Sequence, residues 1–329
     1  MAHQSEANPA RPILIGEHAS IVELRRLIER VAVSNARTVL IYGETGTGKG
    51  LVARALHAAS RRSHAPFVDI NCAAIPSALL ESELFGHEKG AFTGAVSHKP
   101  GLIEAADGGS VFLDEIRELD AVMQAKLLTL LDARRFRRVG AVRPIEVDVR
   151  FIAATNRILL GEVKAGVFRD DLYYRLQVVA LNLPPLRERG DDIFLLAQHH
   201  LAACNLQYGS RMKTIDPDVA EIFRRYPWPG NVRELENLLE RICLLEDGER
   251  IRLAHLPDRI VRAVRSPRTP PVTAGAAAPV GYHDATAAYQ RELIEQALQR
   301  AGGNQGEAAM ALGLTRHALR HQMLKLKLG

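Results

Sequence analysis

The 329-residue chain is poor in cysteine and lacks long apolar runs, and each shortage excludes a class of protein. Its three cysteines, Cys72, Cys204 and Cys243, are widely spaced and form no CxxC pair, which favours buried structural thiols over a redox or metal site. No apolar run approaches the ~20 residues that span a bilayer. Residues 1–12 lack the apolar core of a signal peptide. We therefore expect a cytoplasmic protein with no membrane segment.

An excess of one charge is also missing, since 43 basic residues face 38 acidic ones. The distribution is less even, because segment 301–329 contains one acid, Glu307, against four bases. These bases are Arg316, Arg320, Lys325 and Lys327. A basic C-terminus suggests a nucleic-acid ligand.

Apolar, β-rich runs alternate with helical patterns over residues 13–185. Runs that are apolar throughout are typical of strands covered on both faces, and the intervening helices imply a mainly parallel sheet. The sequence therefore predicts an α/β domain. Its strand candidates are 38–43, 66–71, 109–115, 148–156 and 178–183.

Four further segments complete the predicted organisation. Residues 1–12 form a tail, and 186–258 form a lid of helices only, with Asn231 capping the last of them after a Pro-Trp-Pro-Gly turn. Residues 259–283 are rich in Pro, Ala, Gly and Thr and are predicted to be a linker. Residues 284–329 are predicted to form three short helices.

The first strand candidate leads into a glycine-rich segment and then a helix, which is the context that a phosphate-binding loop requires. The segment reads Gly43-Glu44-Thr45-Gly46-Thr47-Gly48-Lys49-Gly50. Its backbone N–H groups would wrap ATP phosphates at a helix N-terminus, and Lys49 would reach the β- and γ-phosphates. The usual next residue is a Ser or Thr that binds Mg²⁺, whereas Gly50 has no side chain.

A second apolar strand ends in the acid pair Asp114-Glu115. Asp114 would hold Mg²⁺ directly or through water, and Glu115 would polarise the attacking water. Two adjacent acids after a strand are unspecific alone, but together with the phosphate loop they predict an ATPase.

Other polar residues stand at the ends of predicted elements. Thr155-Asn156 closes a strand and would place an amide near the γ-phosphate. Arg169 and Arg175 lie six residues apart in FRDDLYYRL, and Arg233 opens the helix after WPGN. Any single arginine fits a surface salt bridge. The alternative is an arginine that enters a neighbouring subunit's site and stabilises transition-state charge.

One loop offers no acid, base, thiol or metal ligand between its two glycines. It reads Gly90-Ala91-Phe92-Thr93-Gly94-Ala95. Composition alone fits a plain hairpin turn. Beside an ATPase site, it also fits an apolar tip that touches another protein.

The C-terminal segment has the spacing of a helix-turn-helix. Leu319, Met323 and Leu326 would form the buried face of the second helix. The side chains placed to touch DNA are Thr315, Arg316, His317, Arg320 and His321, with Lys325 on phosphate. The alternative is a small protein-binding domain with a solvated basic face.

Residues 14–258 resemble the AAA+ domain of the sigma-54-dependent transcriptional activators, and the C-terminus resembles their Fis-type helix-turn-helix. The resemblance rests on the motifs GETGTGKG, ESELFGHEKGAFTGA, GGSVFLDEI, AATN, FRDDLYYRL, LPPLRERGDDI and WPGNVRELEN, with GGNQGEAAMALGLTRHALR at the end.

This resemblance implies a ring, usually hexameric, that hydrolyses ATP between subunits and remodels RNA polymerase holding sigma-54. The 90–95 loop would contact sigma-54, and the helix-turn-helix would bind an upstream double-stranded DNA site as a dimer. The implied residue roles are the first sensor for Thr155-Asn156, the second sensor for Arg233, trans-acting arginines for Arg169 and Arg175, and restraint of Glu115 for Asn71.

The chain departs from the family pattern at three points. Gly50 replaces a usual glutamate, and Arg117 replaces a common glycine with no expected effect. Only about a dozen residues precede the ATPase, so we expect no receiver or ligand-sensing domain. Control would then come from an inhibitory or co-activating protein in trans, from expression level or from another subunit.

Two rival functions stay open. One is an AAA+ regulator that acts with the ordinary sigma factor and has a vestigial ATPase, although such relatives usually lack an intact GAFTGA. The other is a remodelling ATPase of the chaperone type, against which the helix-turn-helix argues.

Overall fold

The computed structural model describes residues 13–265 continuously. Beyond them it describes residues 294, 297, 298, 301, 304–311, 319 and 323. The chain divides between residues 266 and 267 into two units, which are treated separately below.

The first unit is built on a five-stranded parallel sheet with strand order β2-β5-β8-β1-β9. The strands are β1 (Thr38–Tyr42), β2 (Phe67–Asn71), β3 (Gly86–His87), β4 (Lys99–Pro100), β5 (Ser110–Asp114), β6 (Arg135–Phe136), β7 (Ile145–Glu146), β8 (Arg150–Thr155), β9 (Ala180–Asn182), β10 (Thr214–Ile215) and β11 (Arg250–Ile251). All five predicted strands are confirmed, as is the α/β class.

Helices cover both faces of the sheet and continue into the lid. They are α1 (Ala19–Val33), α2 (Lys49–Ala58), α3 (Ser77–Phe85), α4 (Leu102–Ala105), α5 (Ala121–Ala133), α6 (Leu159–Lys164), α7 (Asp170–Leu176), α8 (Asp192–Tyr208), α9 (Pro217–Arg225), α10 (Asn231–Leu245) and α11 (Asp258–Arg265). In the part of the chain that the structure describes, none of them is long and apolar enough to cross a bilayer.

Alternation along the strands explains why the sheet is buried on both faces. Val39 and Ile41 of β1 pack with α1 and α2, whereas Leu40 between them packs with α3, α5 and α7 on the other face. The central strands β1, β5 and β8 each contribute to both cores in this way, which is why their sequences are mostly apolar.

The lid has its own core around Trp228, which α8, α9, α10 and α11 enclose. Two sequence predictions need correction here. The lid is not helical throughout, because β10 and β11 form a short parallel pair. The linker does not begin at residue 259, because Ile260 and Val264 of α11 are buried in the lid core.

Two short hairpins project from the sheet domain. Strands β3 and β4 form the stem of the 90–95 loop, and β6 pairs with β7. The two hairpins touch, since the amide of Glu88 donates to the carbonyl of Val139 over 3.0 Å.

In the second unit, the structure describes the helix Gln305–Ala311 and a small apolar cluster. Leu319, predicted to face the core, is fully buried there, and Met323 packs against the cluster. Leu326 and all six predicted DNA-contacting residues lie outside the described residues. These six are Thr315, Arg316, His317, Arg320, His321 and Lys325.

Candidate functional site: a phosphate loop beneath the lid

The loop between β1 and α2 has the backbone of an anion cradle. Gly46 and Gly48 have φ of +79° and +103°, which glycine adopts readily, and α2 begins at Lys49 directly after them. Helix N-termini carry unpaired N–H groups and a positive dipole end. The residues present therefore fit the phosphates of a nucleotide.

Lys49 joins this loop to the acid pair. Its side chain is 6% exposed, and its ammonium donates to the Gly43 carbonyl at 3.1 Å and lies 3.5 Å from Glu115 Oε1. An ammonium has three N–H donors. Among the described residues these two contacts are its only partners, so one donor remains for a phosphate oxygen.

The acid pair lies at the end of β5, in a turn whose backbone conformation is rare for residues other than glycine. Glu115 has φ of +51°, and its amide donates to Asp114 Oδ1 at 3.0 Å. A left-handed backbone costs a non-glycine residue about 1–3 kcal/mol and is kept where the surroundings enforce it. Here it brings the carboxylate of Glu115 towards Lys49.

Asp114 ends β5 beside Asn71, at the carboxyl edge of the sheet, and is the candidate ligand for Mg²⁺ that the sequence analysis named. The described residues include no group of three or more His, Cys, Asp or Glu side chains that could hold a metal by themselves. Mg²⁺ characteristically uses one or two carboxylates with water and phosphate oxygens. The donors present therefore fit Mg²⁺ that is bound together with a nucleotide.

The side chains of Thr155 and Asn156, at the end of β8, make contacts with different parts of the chain. Asn156 directs its amide to Thr45 of the phosphate loop, with Nδ2 to Oγ1 at 3.4 Å. The hydroxyl of Thr155 instead contacts the backbone of Arg157. Asn156 is therefore the member of the pair that faces the loop.

Asn71 ends β2, directly beside Asp114 in the sheet register. Its Oδ1 accepts from the amide of Ala73 at 3.0 Å, so the side chain caps a turn. Within residues 13–265 it makes no hydrogen bond to Glu115, so the observed contact is a turn cap and not the restraint of Glu115 that the resemblance implies.

Arg169 and Arg175 form ion pairs on the surface of their own subunit, to Asp171 and Asp132 respectively. Arg175 lies at the amino edge of the sheet, where its carbonyl accepts from Thr38, the first residue of β1. The phosphate loop follows the other end of that strand, ~16 Å away for five residues. Arg175 therefore lies outside the phosphate site of its own subunit.

The lid contacts the phosphate loop at its glycines. The amide of Arg233 donates to the carbonyl of Gly46 at 3.2 Å, while its side chain is exposed. A Cβ on Gly46 would lie 2.1 Å from the carbonyl oxygen of Gly230. The loop and the start of α10 are thus packed backbone to backbone.

Sequence reasoning missed three contacts in this region. Asn231 does not cap α10, because Gly230 occupies the cap position and the Asn231 amide enters the loop instead. Buried Arg189 donates to the Thr47 carbonyl, and Arg187 pairs with Glu44. The usable signal was the arginine pair in LRERGDD, directly between the sheet domain and the lid.

The 90–95 loop stands on the β3–β4 stem. The amide of Gly90 donates to the Ala95 carbonyl at 2.8 Å, which closes the loop. Gly90 and Gly94 both have positive φ, and a Cβ on either would meet no atom within 4 Å. Phe92 is 41% exposed and has its ring 5.1 Å from that of His87.

Replacing Gly50 by alanine is expected to stabilise the protein. Gly50 lies in the first turn of α2, and a Cβ there would make ordinary contacts with Arg54 and Phe112. Alanine is better than glycine in helices by about 0.5–1 kcal/mol, so the thermal midpoint should rise by roughly 1–4 °C. Gly48→Ala is the matched control and should lower it, because Gly48 has φ of +103°. A lower midpoint for Gly50→Ala would contradict the expectation.

Three protein families match the chain in succession. The sigma-54 interaction domain matches residues 14–182, the AAA+ ATPase lid domain matches 187–271, and the bacterial regulatory protein Fis family matches 287–326.

Curated relatives match along nearly the whole chain. The transcriptional regulatory protein ZraR of Salmonella typhimurium is 47% identical over 97% of this chain and 70% of its own. The nitrogen fixation proteins AnfA and VnfA of Azotobacter vinelandii are each 46% identical, and the chain spans 56% and 59% of their lengths.

Among solved structures, NtrX from Brucella abortus in complex with ATP is similar with a TM-score of 0.72 and 36% identity. The match covers 96% of this chain and 70% of that one. The family matches, the relatives and the fold agree, and the chain belongs to the sigma-54-dependent transcriptional activators, with an AAA+ domain, its lid and a Fis-type helix-turn-helix.

Proposed function

We propose that this protein is an ATP-hydrolysing activator that remodels sigma-54 RNA polymerase through the loop Gly90–Ala95. The observation that carries the proposal is the joining of an exposed, chemically inert loop to a domain with a phosphate site. Phe92 is partly exposed on this loop, and the loop bears no acid, base, thiol or metal ligand.

The contacts at the phosphate loop support assigned roles for the ATPase. Lys49 would bind the phosphates, Asp114 would hold Mg²⁺, and Glu115 would orient and polarise the attacking water. When bound at Asp114, the metal would supply positive charge that offsets the charge of the phosphates. Asn156 would sense the γ-phosphate through the loop, and Asn71 would turn towards Glu115 in another nucleotide state.

The position of Arg175 supports assembly into a ring. Since it lies at the edge of the sheet opposite the phosphate loop, any nucleotide that it contacts would be a neighbouring subunit's. Arg169 would act with it, and Arg233 of the lid would act within its own subunit. A hexamer is the proposed assembly, built from DNA-bound dimers.

The C-terminal helix-turn-helix would anchor the assembly to upstream double-stranded DNA, in the cytoplasm where the polymerase acts. Arg316 and Arg320 are the proposed base-contacting arginines. We also propose that control is supplied in trans, by a partner protein or by another subunit.

Phe92→Ala tests this function. The variant should hydrolyse ATP within about threefold of the parent, because Phe92 contacts neither Lys49 nor Glu115. It should fail to form open complexes with sigma-54 polymerase on a cognate promoter, which a heparin-resistant gel shift measures. A loss of one apolar anchor typically costs about 2 kcal/mol or more of binding, roughly a thirtyfold effect.

The matched control is Val96→Ala, which trims an exposed apolar residue just beyond the loop. It should retain open-complex formation. Loss of ATPase and of open complexes together in Phe92→Ala would mean that the loop is merely structural. Opening of promoters by polymerase with the ordinary sigma factor would overturn the proposed function itself.

A further inference from the structure

Glu44, the second residue of the phosphate loop, turns its carboxylate to the lid. Arg187 donates to it from both terminal guanidinium nitrogens, with Nη1 to Oε2 at 2.8 Å and Nη2 to Oε1 at 2.7 Å. Asn231 Nδ2 donates to the same Oε2 at 3.2 Å. The carboxylate is therefore held by two residues that follow the sheet domain in sequence.

Asn231 is itself fixed from both sides. It is fully buried, its Nδ2 also donates to the Thr45 carbonyl at 3.0 Å, and its Oδ1 accepts from the amide of Leu186 at 2.8 Å. Its φ of +50° is unusual for a non-glycine residue. The backbone thus adopts a costly conformation that brings this amide into the loop.

A carboxylate in this loop would oppose the binding of a polyphosphate unless its charge were balanced. The hydrogen bond from Arg187 lowers the pKa of Glu44, so the group is ionised at neutral pH. Like charges repel, and the repulsion grows as water is excluded from between them. The bidentate guanidinium balances the charge of the acid and holds it against the lid.

We infer that Arg187 and Asn231 are positioning residues that hold the Glu44 carboxylate away from the phosphates, so that the affinity for ATP depends on contact between the lid and the loop. The inference rests on the proposed ATPase. It adds that residues of the lid influence nucleotide affinity by holding the carboxylate of Glu44, and not only by contacting the nucleotide themselves.

A rescue experiment tests it with a non-hydrolysable ATP analogue in titration calorimetry. Arg187→Ala should weaken binding about five- to tenfold, a moderate value because the pair is 39–40% exposed. Adding Glu44→Gln to that variant should restore the affinity to within about twofold of the parent, because the unbalanced charge is gone. The kcat at saturating ATP should change less than KM.

Arg224→Ala is the matched control, since Arg224 is a lid arginine paired with Asp191 at 3.0 Å and does not touch the loop. It should bind the analogue like the parent. Glu44→Gln alone should bind the analogue within about threefold of the parent. This measurement tests the inference even if Arg187→Ala folds poorly.

Two results would overturn the inference: unchanged affinity in Arg187→Ala, or a loss that Glu44→Gln fails to rescue. Tenfold weaker binding by Glu44→Gln alone would also overturn it, because the acid would then support binding directly. These measurements do not depend on hydrolysis or on sigma-54. A protein that binds the analogue as expected but opens no promoter would refute the proposed function while leaving the inference intact.

Discussion

Glu115→Gln is expected to abolish ATP turnover while leaving ATP binding within about threefold of the parent. Glutamine has the same shape and keeps the left-handed turn, but its amide cannot polarise water as a carboxylate does. Loss of a general base typically lowers the rate by about 10²–10⁴. Phosphate release measures the rate, and titration with an ATP analogue measures binding.

Glu118→Gln is the control for this change. Glu118 lies one turn further on, partly exposed and paired with Arg117, so its variant should hydrolyse ATP normally. Turnover by Glu115→Gln at a rate near that of the parent would remove Glu115 from the site. Loss of binding in the same variant would instead mean that the acid supports the position of Lys49.

Arg175→Ala is expected to lower the ATPase rate by about 10³–10⁵, the range measured for arginines that act in trans on phosphoryl transfer. The fold should survive, because the Arg175–Asp132 pair is about half exposed and such pairs contribute about 1 kcal/mol or less. Arg225→Ala, which removes an exposed lid arginine paired with Glu221, should leave the rate unchanged.

A mixing experiment separates action in trans from action within one subunit. Lys49→Ala subunits have an intact arginine but no nucleotide, whereas Arg175→Ala subunits have the reverse. Each alone should be inactive. An equal mixture should regain up to about one quarter of the parent rate, since one half of the loops meet one half of the arginines across a head-to-tail contact. No recovery, with mixed assembly shown by cross-linking, would contradict trans action.

The sequence was sufficient for the five strands and for the phosphate loop because both depend on local patterns. Strands buried on two faces are mostly apolar along their length, and the loop needs glycines at fixed spacing before a helix. The structure places Lys49 and Glu115 3.5 Å apart, because both follow parallel strands whose carboxyl ends meet at one edge of the sheet.

The sequence did not predict contacts that depend on how the lid packs. Asn231 was expected to cap α10, which is a local role. Its side chain instead donates to the Thr45 carbonyl of the phosphate loop, a contact that depends on how the lid packs. The end of the lid was also misjudged, because α11 is polar on average and only Ile260 and Val264 enter the core. The surface against which a polar helix packs decides which of its few apolar residues are buried.

The separation of Arg175 and the phosphate loop along β1 gives any assembly that uses both a direction. Each subunit presents two different faces, so the contact joins unlike surfaces and repeats from one copy to the next without a two-fold axis. An open row of such copies always leaves one loop at one end without an arginine and one arginine at the other without a loop. Closure removes both unused ends at once, so the last subunit to join completes two sites where every earlier one completed a single site.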